Sequence, residues 1–198
     1  MSFFKKFFGN ETTETTAEVE NNRYAPKEPK APIDEVFVKN FCGNGGKFIY
    51  CENLNEVHDN FLNILEENDW FETTAICFNE KLHVFLTDNN IKFQNPINPT
   101  FYFSSCEGLI ADEGSIMLSS TQLKHYKPSD LPKKMVIFAT TAQICGNKSE
   151  CMQSIKKRYN TQFPSNITTI SYFMPKKDDS LMTFGSSVDH LYLLLLED

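Results

Sequence analysis

The chain predicts an α/β layered sheet with mostly parallel strands and helices on both faces. Short apolar runs of strand character alternate with segments of helical periodicity along its length. The uninterrupted Leu193-Leu194-Leu195-Leu196 run suits a central strand buried on both sides. Turn formers, notably Gly43-Asn44-Gly45-Gly46 and the pair Pro96 and Pro99, mark breaks between these elements.

The elements follow in order. Asp34 to Phe41 reads as a helix, broken by the glycine run before a strand at Lys47-Phe48-Ile49-Tyr50-Cys51. Asn53 with Glu56 three residues later has the form of a helix N-terminus, and Leu54, Val57, Phe61 and Leu65 share one face of the helix that ends near Asp69. Ala75 to Phe78 reads as a short buried strand and Glu80 to Thr87 as a helix with Leu82, Phe85 and Leu86 inward. After the proline loop, Phe101-Tyr102-Phe103 and the stretch from Ser105 to Ser120 supply two or three strands. Lys134 to Ala139 is a strand, and Thr140 or Thr141 is expected to cap a helix running to Tyr159. Gly146 weakens the middle of that helix. Ile167 to Phe173 and His190 to Leu196 complete the set as strands.

Residues 1 to 32 read differently and form a separate flexible tail. Phe3, Phe4, Phe7 and Phe8 fall at i, i+1, i+4 and i+5, one face of two helical turns, with Gly9 as a C-cap. A helix that short is marginal alone in water. A Thr/Glu run and then Pro26, Pro29 and Pro32 among lysines favour an extended, solvated linker. The four Phe are candidates for docking into a partner groove; a membrane-surface contact has only two lysines behind it, and a tail that folds back on the domain is the plain alternative. The apolar stretch is too short for a secretory signal.

Composition limits the function. With 198 residues the chain can build one domain of about 160 residues that buries roughly 70% of its unfolded surface. A net charge of -7 and a pI near 5.2 argue against nucleic acid as a partner. The longest apolar run, Leu191 to Leu196, falls far below the roughly 20 residues of a membrane span. Cysteines 42, 51, 77, 106, 145 and 151 have no Cys-x-x-Cys spacing, so they read as reduced, buried cytosolic thiols, with no metal site. The four histidines are scattered. His190 beside Asp189 is the one pair able to orient each other, although neighbours on a strand face opposite ways.

The densest chemistry lies in Ser105-Cys106-Glu107-Gly108-Leu109-Ile110-Ala111-Asp112-Glu113-Gly114-Ser115-Ile116-Met117-Leu118. Apolar runs flank Asp112 and Glu113, which places these acids at or near a buried edge, or else in a solvated hairpin turn. Ser105, Asp112, Glu113, Gly114 and Ser115 are ligand-binding candidates, with Tyr102, Ser104 and Cys106 as further lining. Gly43-Asn44-Gly45-Gly46 precedes a strand instead of following one, so it fails the context for a phosphate loop.

Ala111-Asp112-Glu113-Gly114-Ser115 resembles the Ala-Glu-Thr/Ser-Gly-Thr signature of the lactate utilization protein C family, also called the LUD domain. Ser129-Asp130-Leu131-Pro132 before Met135-Val136-Ile137-Phe138 is similar to that family's Ser-Leu-Leu-Pro step. Gly185-Ser186-Ser187-Val188-Asp189 is similar to its Gly-Pro-Ser-Arg/Lys-Thr-Ala-Asp motif, without the Pro and the basic residue. The resemblance covers roughly residues 35 to 196, within a domain taken as 33 to 198.

It implies a three-layer Rossmann-like sandwich of the NagB/RpiA/CoA-transferase-like fold. It adds Gly185, Ser186, Ser187 and Asp189 to the ligand-binding candidates, in one crevice shared by the loop after Phe103 and the loop before Asp189. Glu113, by analogy with carboxylates that attack thioesters on the related fold, is the one catalytic candidate. The implied role is a cytoplasmic subunit or accessory factor of L-lactate oxidation to pyruvate. Its partners would be the iron-sulfur proteins A and B of that system, which would carry the clusters, with no cofactor on this chain. Two alternatives stay open: a protein or enzyme that binds a small organic acid or phosphate ligand, and a diverged interaction module.

Overall fold

The carboxyl ends of five parallel strands form one edge of the molecule, and the rest of the fold follows from how that sheet is covered. The computed structural model describes residues 31–94, 96–160, 162–171, 173 and 188–198. In chain order the elements are α1 (Ile33–Gly43), β1 (Lys47–Cys51), α2 (Leu54–Asn68), β2 (Ala75–Ile76), α3 (His83–Asp88), β3 (Phe101–Ser105) and β4 (Gly108–Ile110). They continue with β5 (Ser115–Leu118), α4 (Ser120–Leu123), β6 (Lys134–Thr140), β7 (Ile144–Cys145), α5 (Lys148–Tyr159), β8 (Thr168–Ile170) and β9 (His190–Leu196).

The main sheet has the order β1-β9-β6-β3-β2, and every neighbouring pair is parallel. The leucine-rich β9 lies between β1 and β6, with Leu191 to Leu195 buried, as a doubly covered strand requires. One face carries Phe101, Phe103, Val136, Tyr192 and Leu194, packed under Val57, Phe61, Ile64 and Leu65 of α2 and Phe85 and Leu86 of α3. Aromatic pairs organise this layer: Phe61 stacks on Phe103 at 4.7 Å and Trp70 on Phe101 at 4.7 Å. Each such pair contributes roughly 0.5–1.5 kcal/mol beyond its buried area.

Strand alternation sends Tyr102 and Ser104 to the other face. There the Tyr102 hydroxyl donates 2.8 Å to the Gln122 carbonyl of α4. That side also carries a second sheet, order β7-β4-β5-β8, in which β4 and β5 form an antiparallel hairpin. Ile110, Met117 and Cys145 meet Cys151 and Ile155 of α5 on one face of it, while Leu109 and Ile116 face the opposite way and are fully buried.

The parallel sheet and its helical layer agree with the expected α/β class. β4, β5 and β8 fall in stretches expected as strands; their grouping into a second sheet is new, as is β7, whose two residues are too few for periodicity to register. The expected helix from Thr140 to Tyr159 is corrected. A single 3-10 turn (Thr141–Gln143) and β7 come first, and α5 starts only after Asn147, whose side chain accepts from the Glu150 amide at 3.0 Å. Gly146 therefore lies in the loop before the helix. Asn53 does cap α2, accepting from the Glu56 amide at 3.0 Å, and Asp69 closes it in the left-handed region at φ 54. Among the described residues no helix is long and apolar enough to cross a membrane.

Candidate functional site

Ala111 to Gly114 form the tight turn of the β4–β5 hairpin, and Asp112 and Glu113 at its tip are exposed. This is the solvated-turn alternative, not a buried edge. The turn is nevertheless clamped. The Asn40 side chain of α1 donates to the Ala111 and Asp112 carbonyls at 2.8 and 3.2 Å, and Asn44 donates to those of Glu113 and Gly114 at 2.8 and 3.2 Å. Gly114 takes φ +59, and any Cβ on it would stand 2.3 Å from the Asn40 carbonyl carbon. The buried Ser115 hydroxyl donates 3.0 Å to the Glu113 carboxylate. Glu113 is thus held at the surface by a turn that packs backbone against backbone.

Ser105 and Asp189, expected in one crevice, lie apart. Ser105 ends β3 and pairs in register with Phe138, whereas Asp189 precedes β9, whose first residue His190 pairs with Lys134. In a parallel sheet these are opposite ends, about 13 Å apart at roughly 3.3 Å per residue. Asp189 faces Lys133 at 3.9 Å, and His190 is exposed. Gly185, Ser186 and Ser187, and likewise Phe3, Phe4, Phe7 and Phe8, lie outside the described residues.

The carboxyl ends hold the acid that sequence reasoning passed over. Glu107 directly precedes β4 and its side chain is fully buried. One carboxylate oxygen accepts from the Ser119 hydroxyl at 2.7 Å, the Tyr159 hydroxyl at 2.9 Å and the Gln122 amide at 3.0 Å. The other accepts from the Arg158 guanidinium at 3.1 Å. The Tyr159 phenol is pushed above its ordinary range by partial burial and by the Glu107 charge. Four donors from α4, its cap and the end of α5 thereby converge on one anion, which is how a buried charge becomes tolerable. A lone Glu between Cys106 and the apolar Gly108-Leu109-Ile110 was the available signal.

Gln122 connects this network to a cleft of ≈ 350 Å³ beyond the carboxyl ends of β2 and β3. Ser104 and Ser105 form its floor, Asn79, Glu80 and Lys81 one wall, and Thr121, Gln122 and Lys124 the other. The Asn79 amide donates 3.0 Å to the Ser105 hydroxyl, and its carbonyl oxygen on the side chain accepts from the Lys81 amide, so the wall is tied to the floor. Lys124 terminates α4 at φ 52 and ψ -114, a conformation that costs a side-chain-bearing residue of order 1–3 kcal/mol. Of the sequence candidates, Ser105 and the expected lining residue Ser104 reach this cleft. Lys81, Lys124 and Asn79 carried no motif and become visible only once β2, β3 and α4 converge.

The cysteines are packed, not poised. Burial raises the thiols of Cys51 and Cys77 to about 11 and that of Cys151, beside Cys145, to about 12, and it pushes Cys106 higher still. Among the described residues no group of three or more His, Cys, Asp or Glu is placed to hold a metal ion. Of the six thiols only Cys42 is exposed. A thiol reagent on native protein is expected to modify Cys42 rapidly and the other five only on unfolding. Alkali should destabilise the fold: above the ordinary thiol value of 9.0 the unfolded chain releases protons that the folded one retains, so urea midpoints fall as pH rises from 9 toward 11. A midpoint that rises across that window contradicts this burial.

Comparison with known proteins agrees with this architecture. No curated protein matches the chain. Among solved structures it is similar to a DUF162 family protein from Deinococcus radiodurans, with a TM-score of 0.58 at 12% identity, covering 83% of this chain and 96% of that one. At that identity the likeness speaks for the fold. The LUD domain matches residues 35–185, three quarters of the chain, a span that includes β2, β3 and α4 around the cleft, and the chain therefore belongs to the LUD domain family.

Proposed function

We propose that this protein is a subunit or accessory factor of a lactate utilization system that oxidises L-lactate to pyruvate, working beside iron-sulfur proteins that carry the electrons. The observation behind this reading is the LUD domain match over residues 35–185. On this reading the chain contributes binding surface and ligand contacts, the thiols of Cys51, Cys77, Cys106 and Cys151 being held protonated by burial. Affinity purification of the tagged protein from its native cells grown on L-lactate tests it. Co-elution of iron and acid-labile sulfide with cysteine-rich partners is the expected result, and an eluate free of both, from cells that are consuming lactate, overturns it.

A second reading, a small organic-acid or phosphate binding protein, is favoured by the cleft. Two lysines, Lys81 and Lys124, and one glutamate, Glu80, line it together with Ser104, Ser105 and Thr121. That set suits an oxyanion, which takes charge-assisted bonds from ammonium groups and neutral ones from hydroxyls. Such ligands bind at the carboxyl ends of parallel strands in open α/β sheets.

A further inference from the structure

The polar cleft does not stand alone. Phe78, the residue that opens its wall, also lines a second cavity of ≈ 460 Å³. Lys124 borders the first cavity, and the next two residues, His125 and Tyr126, border the second. The Phe78 and Tyr126 rings approach to 5.7 Å, so one aromatic pair stands where the two compartments meet.

The compartments differ in chemistry. The first offers ammonium groups and hydroxyls. The second is walled by rings from separate stretches of chain: His83 against Phe93 at 4.4 Å, and His125 against Tyr126 at 4.4 Å. Its base is the apolar Ile76 and Cys77 at the end of β2. Flat aromatic walls bind planar rings by stacking, whereas a lactate-sized acid has no ring to place there. Each cavity is within the range of about 300–1,000 Å³ typical of small-molecule sites.

We infer that the two compartments form one bipartite site for a mononucleotide, with its base among Phe78, His83, Phe93 and Tyr126 and its phosphate at Lys81, Lys124, Ser105 and Thr121. The inference rests on the ligand-binding reading of the cleft and names the class of ligand. The conformation of Lys124 supports it: a glycine would hold that backbone without strain, yet a lysine occupies it at the border of the cleft.

Isothermal titration of the full chain with inorganic phosphate, adenosine and AMP, together with the pyrimidine mononucleotides, tests the proposal. At least one mononucleotide is expected to bind at least about tenfold more tightly than either phosphate or adenosine. Phe78→Ala, or Tyr126→Leu where the first variant fails to fold, should lower nucleotide affinity about fivefold or more and leave phosphate affinity unchanged. Lys124→Gly should weaken both nucleotide and phosphate while raising the melting temperature, an opposition that a purely structural lysine would not produce. If phosphate binds and no mononucleotide binds more tightly, the ligand-binding reading survives and the bipartite site is wrong. If adenosine binds as tightly as AMP, the link to the lysines is wrong. If no probe binds, the bipartite site is wrong and the cleft is no phosphate site.

Discussion

Gly114→Ala is expected to destabilise the protein by about 3 kcal/mol, the sum of a left-handed backbone penalty and an overpacked contact. The added Cβ would meet the Asn40 carbonyl carbon at 2.3 Å and the Phe41 amide nitrogen at 2.4 Å. Both are backbone atoms of α1, which no rotamer change can move aside. Relief requires the helix to withdraw, and that breaks the four bonds from Asn40 and Asn44 to the turn. Gly43→Ala is the matched control, since nothing lies within 4 Å of its Cβ and its place in the last turn of α1 favours alanine. Urea unfolding should separate the two variants clearly. Equal midpoints would mean that α1 does not press on the hairpin.

Glu107→Ala is expected to cost a similar amount, about 3 kcal/mol, for a different reason. Removing the carboxylate deprives the Ser119 hydroxyl, the Gln122 amide and the Tyr159 hydroxyl of their shared acceptor. Arg158 suffers less, because its side chain is 43% exposed and water can replace the lost anion. The loss should therefore loosen α4 and the end of α5 more than the parallel sheet. Hydrogen exchange would show faster amides in Ser120–Leu123 and the last turn of Lys148–Tyr159, with β6 and β9 protected as before. A variant as stable as the parent would show that Glu107 is held at no net benefit.

The two residues illustrate what was legible in the chain. Gly114 belongs to a recognisable stretch, where Asp and Gly between two apolar runs left a solvated hairpin turn as one of two readings. The parallel class was legible too, because Leu193 to Leu196 can be accommodated only in a strand covered on both sides. Glu107 was hidden for a physical reason. Exposed and buried acids look alike in sequence, and the donors that hold Glu107 come from positions 119, 122, 158 and 159, up to 52 residues away. Ser105 and Asp189 are separated by direction: Ser105 ends β3 whereas Asp189 leads into β9, so in a parallel sheet they stand at opposite ends. The cleft lysines were unreadable because Lys81 and Lys124 are brought together by β2, β3 and α4, with no local pattern to announce them.

Growth on L-lactate of a strain lacking this gene, complemented with variants of the cleft, tests the central claim most directly. The account predicts that the deletion abolishes growth on L-lactate but not on glucose, that the parent sequence restores it, and that Lys124→Glu with Ser105→Trp, which fill and recharge the cleft, does not restore it although the protein accumulates in folded form. Undiminished growth of the deletion strain on L-lactate would contradict the lactate role, and full rescue by the blocked cleft would contradict the placement of function at the carboxyl ends of β2 and β3.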